Sequence, residues 1–124
     1  MSKRILYVED NFENRLFVRR VLEAMGFEMI EAHDGPEGID MAQDEMPDLI
    51  LMDVGLPGMD GLETTAKMRE IDAIKQIPII ALTANAMKGD RERCLDAGCD
   101  GYLQKPIGVN DLRDQVTDFL GSGS

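Results

Sequence analysis

The chain has 124 residues, 44% of them apolar and 30% charged, with a formal net charge of −11. This length suits one domain with its own core, and the composition is that of a globular protein that needs no disulfide or metal staple to fold. The charge argues against generic DNA or RNA binding, which needs a basic footprint, and against anionic membrane surfaces.

No apolar run approaches the ~18 residues of a membrane span, and no charged-then-apolar leader opens the chain. Cys94 and Cys99 lack the spacing of a metal or redox pair, so they are expected as reduced thiols in a cytoplasmic protein. The terminal Gly121-Ser122-Gly123-Ser124 has the composition of a linker and is set apart from the fold.

Ile5 to Val8 form a short apolar run, the first predicted strand. Phe17, Val18, Val21, Leu22 and Met25 then recur at helical spacing, with Asn11 as the expected N-cap and Gly26 where a closing glycine belongs. Residues 27–32 read as a second strand. Gly35-Pro36-Glu37 opens a helix carrying Ile39, Ala42 and Met46, which Pro47 stops. Residues 48–53 form a third strand, almost entirely apolar, as a strand covered on both faces should be.

Three glycines and a proline make residues 55–61 a loop, followed by a helix over 62–71. Residues 77–82 are the fourth strand, with Pro78 tolerable only near its start. A charged helix over 84–97 ends at Gly98, and residues 101–104 form the fifth strand. Val109, Leu112, Val116, Phe119 and Leu120 mark a final amphipathic helix. Strands alternating with helices predict an α/β fold, a doubly wound parallel sheet covered on both faces. Sites in such sheets form beyond the carboxyl ends of the strands.

Those ends carry unusual chemistry. Asp53 terminates the run Leu49-Ile50-Leu51-Met52, although aspartate is depleted in strands and rarely buried unpaired. The first strand runs into Glu9-Asp10, the fourth into Thr83 and the fifth into Lys105. Brought together, Glu9, Asp10 and Asp53 would repel one another unless a hard cation joined them. Mg²⁺ takes oxygen ligands of this kind: Asp10 and Asp53 directly, Glu9 directly or through water, with the backbone carbonyl of Gly55 as a further donor. A carboxylate beside Mg²⁺ can attack phosphorus and carry an acyl phosphate. Lys105 and the Thr83 hydroxyl would then cover the remaining phosphoryl oxygens.

Val8-Glu9-Asp10-Asn11, Leu51-Met52-Asp53, Leu56-Pro57-Gly58-Met59-Asp60-Gly61, Leu82-Thr83-Ala84 and Lys105-Pro106 together resemble the motif set of receiver domains of two-component response regulators, in family order and spacing over residues 3–120. The resemblance is closest to stand-alone, cell-division-type regulators and to receivers attached to hybrid histidine kinases, which share the stretch Ala86-Met87-Lys88-Gly89-Asp90. It implies a flavodoxin-like (βα)5 sandwich with strand order 2-1-3-4-5. It also implies Asp53 as phosphoacceptor, Glu9 and Asp10 as the acid pair for Mg²⁺, Thr83 and Lys105 as phosphate-sensing residues and Tyr102 as the aromatic switch. Gly55 and Asn85 occupy the positions that tune the lifetime of the phosphorylated state.

The implied function is phosphorelay signalling. A sensor histidine kinase or phosphotransfer protein donates, and a downstream signalling protein reads the face formed by residues 84–120. Lys88, Asp90, Arg91, Glu92 and Arg93 would give that face a mixed-charge helix surface around Met87 and Leu95. The alternative within the family is a receiver belonging to a larger hybrid kinase or multidomain regulator. Two readings lie outside it. A dehalogenase-type phosphatase needs a second aspartate two positions after Asp53, where Gly55 stands. A flavodoxin-like electron carrier needs a glycine- and hydroxyl-rich cradle after the first strand, where Glu9-Asp10 would repel a flavin phosphate.

Overall fold

Strand β3 (Leu49–Asp53) is buried along its whole length, which only a central strand between two helical layers permits. The computed structural model describes residues 2–84 and 88–121. Among them, β3 is flanked by β1 (Arg4–Val8) and β4 (Ile79–Thr83), with β2 (Glu28–Ala32) and β5 (Gly101–Gln104) at the edges. All pairings are parallel, and the order is β2-β1-β3-β4-β5, as the resemblance implies.

Side-chain alternation divides each strand between two cores. Ile5, Tyr7, Leu49, Leu51, Ile80 and Leu82 pack against Val18 and Leu22 of α1 (Phe12–Ala24) and Leu112 and Val116 of α5 (Val109–Leu120). Leu6, Val8, Ile50, Met52, Ile79 and Ala81 face the other way. They meet Ala42 of α2 (Gly35–Glu45), Met68 of α3 (Gly61–Arg69) and Cys94 of α4 (Lys88–Ala97). Each fully buried aliphatic side chain is worth about 1.5–3 kcal/mol over leaving it in water.

Three helix starts are set by side-chain caps, whereas α5 begins after Gly108 without one. Asn11 accepts from Asn14 N, as expected, while Asp34 accepts from Glu37 N and Asp60 from Glu63 N. The Asp60 cap brings the start of α3 forward to Gly61, one residue before the expected start and inside the expected loop, and α3 ends at Arg69 rather than residue 71. There a Cβ would collide with the Asp53 carbonyl, so glycine lets the helix start directly against the end of β3. Pro47 does stop α2, with Met46 in the left-handed region (φ 47°) as its last cap.

Other expectations shift. Phe17 and Val18 cannot both face the core, since adjacent helical positions lie 100° apart. Val18 is buried, whereas Phe17 lies 37% exposed. The fourth strand is displaced to Ile79–Thr83, because Pro78 cannot donate to the ladder and instead accepts from Ile50 N. Ala84 lies outside α4, whose described span is Lys88–Ala97; residues 85–87, including the expected tuning position Asn85, lie outside the described residues. β5 and α5 have the expected bounds.

Candidate metal and phosphoryl site

Parallel register brings the ends of β1, β3, β4 and β5 to one edge of the sheet, where they form the floor of an acidic pocket. Glu9, Asp10 and Asp53 each offer an oxygen, and these oxygens lie within 4.8 Å of one another. Glu9 and Asp53 are buried and Asp10 is exposed. Lys105 reaches in from the turn after β5, next to a cis bond to Pro106. Its Nζ stands 2.8 Å from Glu9 Oε1 and 2.9 Å from Asp53 Oδ1.

Asp53 Oδ1 also accepts from Gly55 N at 3.1 Å, so the hydrogen bonds to this carboxylate among the described residues fall on one oxygen. Burial, and then the charge of Glu9, push the Asp53 carboxyl above its usual range, with Lys105 pulling part of the way back. Burial also acts on Glu9, but donors from Lys105 and Tyr7 outweigh it and hold its carboxyl below the ordinary value. Burial would lower Lys105; its bonds to Glu9 and Asp53 more than offset that and keep it protonated.

Three carboxylates against a single ammonium leave the cluster two charges negative. A hard divalent cation would fit this donor set, because it is all oxygen and presents a solvent-facing carboxylate beside two fixed ones. The same cation would invert the local charge, letting an anionic phosphoryl group approach.

Thr83 lies at the end of β4 and is buried, but its hydroxyl donates to the Asp90 carboxylate in the first turn of α4. Tyr102 is half-buried on β5, packed against the core that includes Cys94 and Cys99.

Sequence reasoning missed four contributors. Asp90, expected on the mixed-charge helix face offered to a partner, is buried and linked to Thr83 and Arg93. No local pattern pairs it with Thr83, seven residues back in the chain. Asn14 donates to Glu9 Oε1 at 3.3 Å, and Arg15 donates to the Glu9 carbonyl at 2.9 Å. Both lie one turn into α1, which the Asn11 cap made placeable. Tyr7 donates to Glu9 Oε1 at 2.8 Å, and two-residue alternation along β1 is the signal that would have found it.

A model of the response regulator receiver domain matches residues 5–117. The polar-differentiation response regulator DivK of Brucella anthropi is 44% identical over 121 residues, 98% of each chain. The receiver domain of the sensor histidine kinase PA1611 from Pseudomonas aeruginosa superposes with a TM-score of 0.89 at 38% identity, over 98% of this chain and 100% of that one. That structure holds a magnesium ion coordinated in its active-site cleft. The chemotaxis protein CheY4 of Vibrio cholerae superposes with a TM-score of 0.91 at 29% identity, over 97% and 100% of the two chains.

A doubly wound parallel sheet with an acid triad and a lysine at its carboxyl edge defines an α/β class of protein whose ligand sites form at that edge. The chain belongs to the receiver-domain family of two-component response regulators.

Proposed function

We propose that residues 3–120 form a phosphoacceptor unit in which Asp53 takes a phosphoryl group in a Mg²⁺-dependent transfer. The observation that carries this reading is the buried Asp53 carboxylate, bridged by Lys105 to Glu9 and clustered with Asp10 at the sheet edge. Asp10, Asp53 and the Gly55 carbonyl would hold Mg²⁺ together with Glu9. Bound there, Mg²⁺ offsets the negative charge of the carboxylates and of the phosphoryl oxygens.

Asp53 has one oxygen, Oδ1, tied to Gly55 N and Lys105, and among the described residues no hydrogen bond falls on Oδ2, the oxygen placed for attack. With a phosphohistidine donor, the P–N bond breaks as the P–O bond to Asp53 forms, and the imidazole leaves carrying a proton from water. Lys105 pairs with one phosphoryl oxygen and the Thr83 hydroxyl with another. Water attacking phosphorus later releases inorganic phosphate and restores the carboxylate, so the domain catalyses its own loading and slow unloading.

The donor in this reading is a sensor histidine kinase or a phosphotransfer protein. Exposed Phe17 gives it an apolar footing beside Lys105, along a cleft that also includes Asn14, Pro106 and Ile107. The output face is residues 84–120, where Thr83, Tyr102 and Lys105 sit at element junctions and a groove runs between Leu95, Tyr102 and Phe119. A cytoplasmic site of action suits the two free cysteines, which fit a reducing compartment. Among the described residues no helix is long and apolar enough to cross a membrane.

Incubation with a small acyl phosphate should add one phosphoryl group to the intact mass when Mg²⁺ is present and none after chelation. Equal uptake with and without the metal would contradict this reading.

A further inference from the structure

Tyr7 is fully buried and belongs to the core cluster that includes Val18, Leu22, Leu51 and Leu82. A phenylalanine would fill that space equally well, so the core alone gives no reason for a hydroxyl. Alternation along β1 places Tyr7 and the residue two beyond it, Glu9, on the same side. The phenol donates to Glu9 Oε1 at 2.8 Å.

That oxygen also receives Lys105 Nζ at 2.8 Å and Asn14 Nδ2 at 3.3 Å, while Oε2 takes Asn11 N at 3.2 Å. Of the three donors on Oε1, only the phenol comes from a residue with no solvent exposure. Lys105 is divided between Glu9 and Asp53, so the direction of the Glu9 carboxylate decides how that cation is shared. Repulsion from Asp10 and Asp53 would turn an untethered Glu9 away from the cluster.

We propose that Tyr7 is a positioning residue of the metal and phosphoryl site, acting through Glu9. Its hydroxyl fixes the carboxylate so that Glu9, Asp10 and Asp53 stay within reach of one cation and Lys105 stays shared with Asp53. This rests on the proposed reading of those three residues as a Mg²⁺ site. Hydrogen-bond partners behind metal-binding side chains commonly govern affinity in this way.

The test is a Mg²⁺ titration without phosphodonor, followed by amide chemical shifts, on the wild type, Tyr7→Phe, Glu9→Ala and the double variant. Tyr7→Phe should weaken Mg²⁺ binding roughly tenfold and should change nothing further once Glu9 is alanine. A Tyr7→Phe protein that binds Mg²⁺ like the wild type would overturn the proposal, as would a loss that persists undiminished in the Glu9→Ala background. Failure of Tyr7→Phe to unfold cooperatively would also overturn it, since a hydroxyl the core requires is not a positioning group. Absence of Mg²⁺ binding by the wild type itself would instead defeat the reading of the site.

Discussion

The Thr83 hydroxyl donates to the Asp90 carboxylate, so the group expected to meet a phosphoryl oxygen is engaged by the first turn of α4. Both residues are buried, and Asp90 has a second partner in Arg93, 3.1 Å away. A phosphoryl group on Asp53 would compete with Asp90 for the same hydroxyl, which ties the chemistry at β3 to the position of α4.

Thr83→Ala and Asp90→Ala should therefore be coupled in stability. A double-mutant cycle by urea unfolding should give an interaction of about 1–3 kcal/mol, the range for a buried hydrogen bond to a charged group. Additive losses would show that the bond contributes nothing. Thr83→Ala should still take up a phosphoryl group while losing most of its partner response; parallel loss of both would confine Thr83 to the transfer step.

Arg69 should be irreplaceable by lysine. Its guanidinium donates to the carbonyls of Gly98, Lys75 and Ile77 at 2.7–2.9 Å and to Asp100 Oδ2 at 2.6 Å. It thus joins the turn before β4 to the turn before β5. A lysine keeps the charge but cannot address four acceptors from one point. Arg69→Lys should lose about 2 kcal/mol of unfolding free energy with phosphoryl uptake intact, and a loss below about 0.5 kcal/mol would contradict the network.

The thiols should be silent in the native state. Burial pushes Cys94 up, and burial raises Cys99 from 9.0 to about 11 despite a hydrogen bond with Thr65. A thiol reagent at pH 8 should therefore react only as fast as the chain unfolds. The sign of the linkage follows from the raised folded value. Below pH 9 neither state ionises Cys99 and its contribution is fully present; from pH 9 to about 11 the unfolded chain ionises first, so stability falls. Rapid labelling of both cysteines under native conditions would refute this.

Much of this fold could be read from the chain because its signals are periodic. The apolar runs at β1 and β3 and the spacing of Leu112, Val116 and Phe119 in α5 required no tertiary knowledge. Glu9, Asp10, Asp53, Thr83 and Lys105 were placeable together because each stands at or just beyond the end of a strand. Pairings across elements were harder. Asp90 looks like any charge on a polar helix until α4 docks beside β4, and Phe17 looks like core until the helix phase is fixed by Val18 and Leu22.

Among the three clustered carboxylates, Asp53 should be the one that becomes phosphorylated. Intact-protein mass after treatment with a small acyl phosphate and Mg²⁺ tests it most directly, applied to the wild type, Asp10→Asn and Asp53→Asn. The wild type should gain one phosphoryl group, Asp10→Asn should need more Mg²⁺ to reach the same level, and Asp53→Asn should gain none. Full modification of Asp53→Asn would contradict the account.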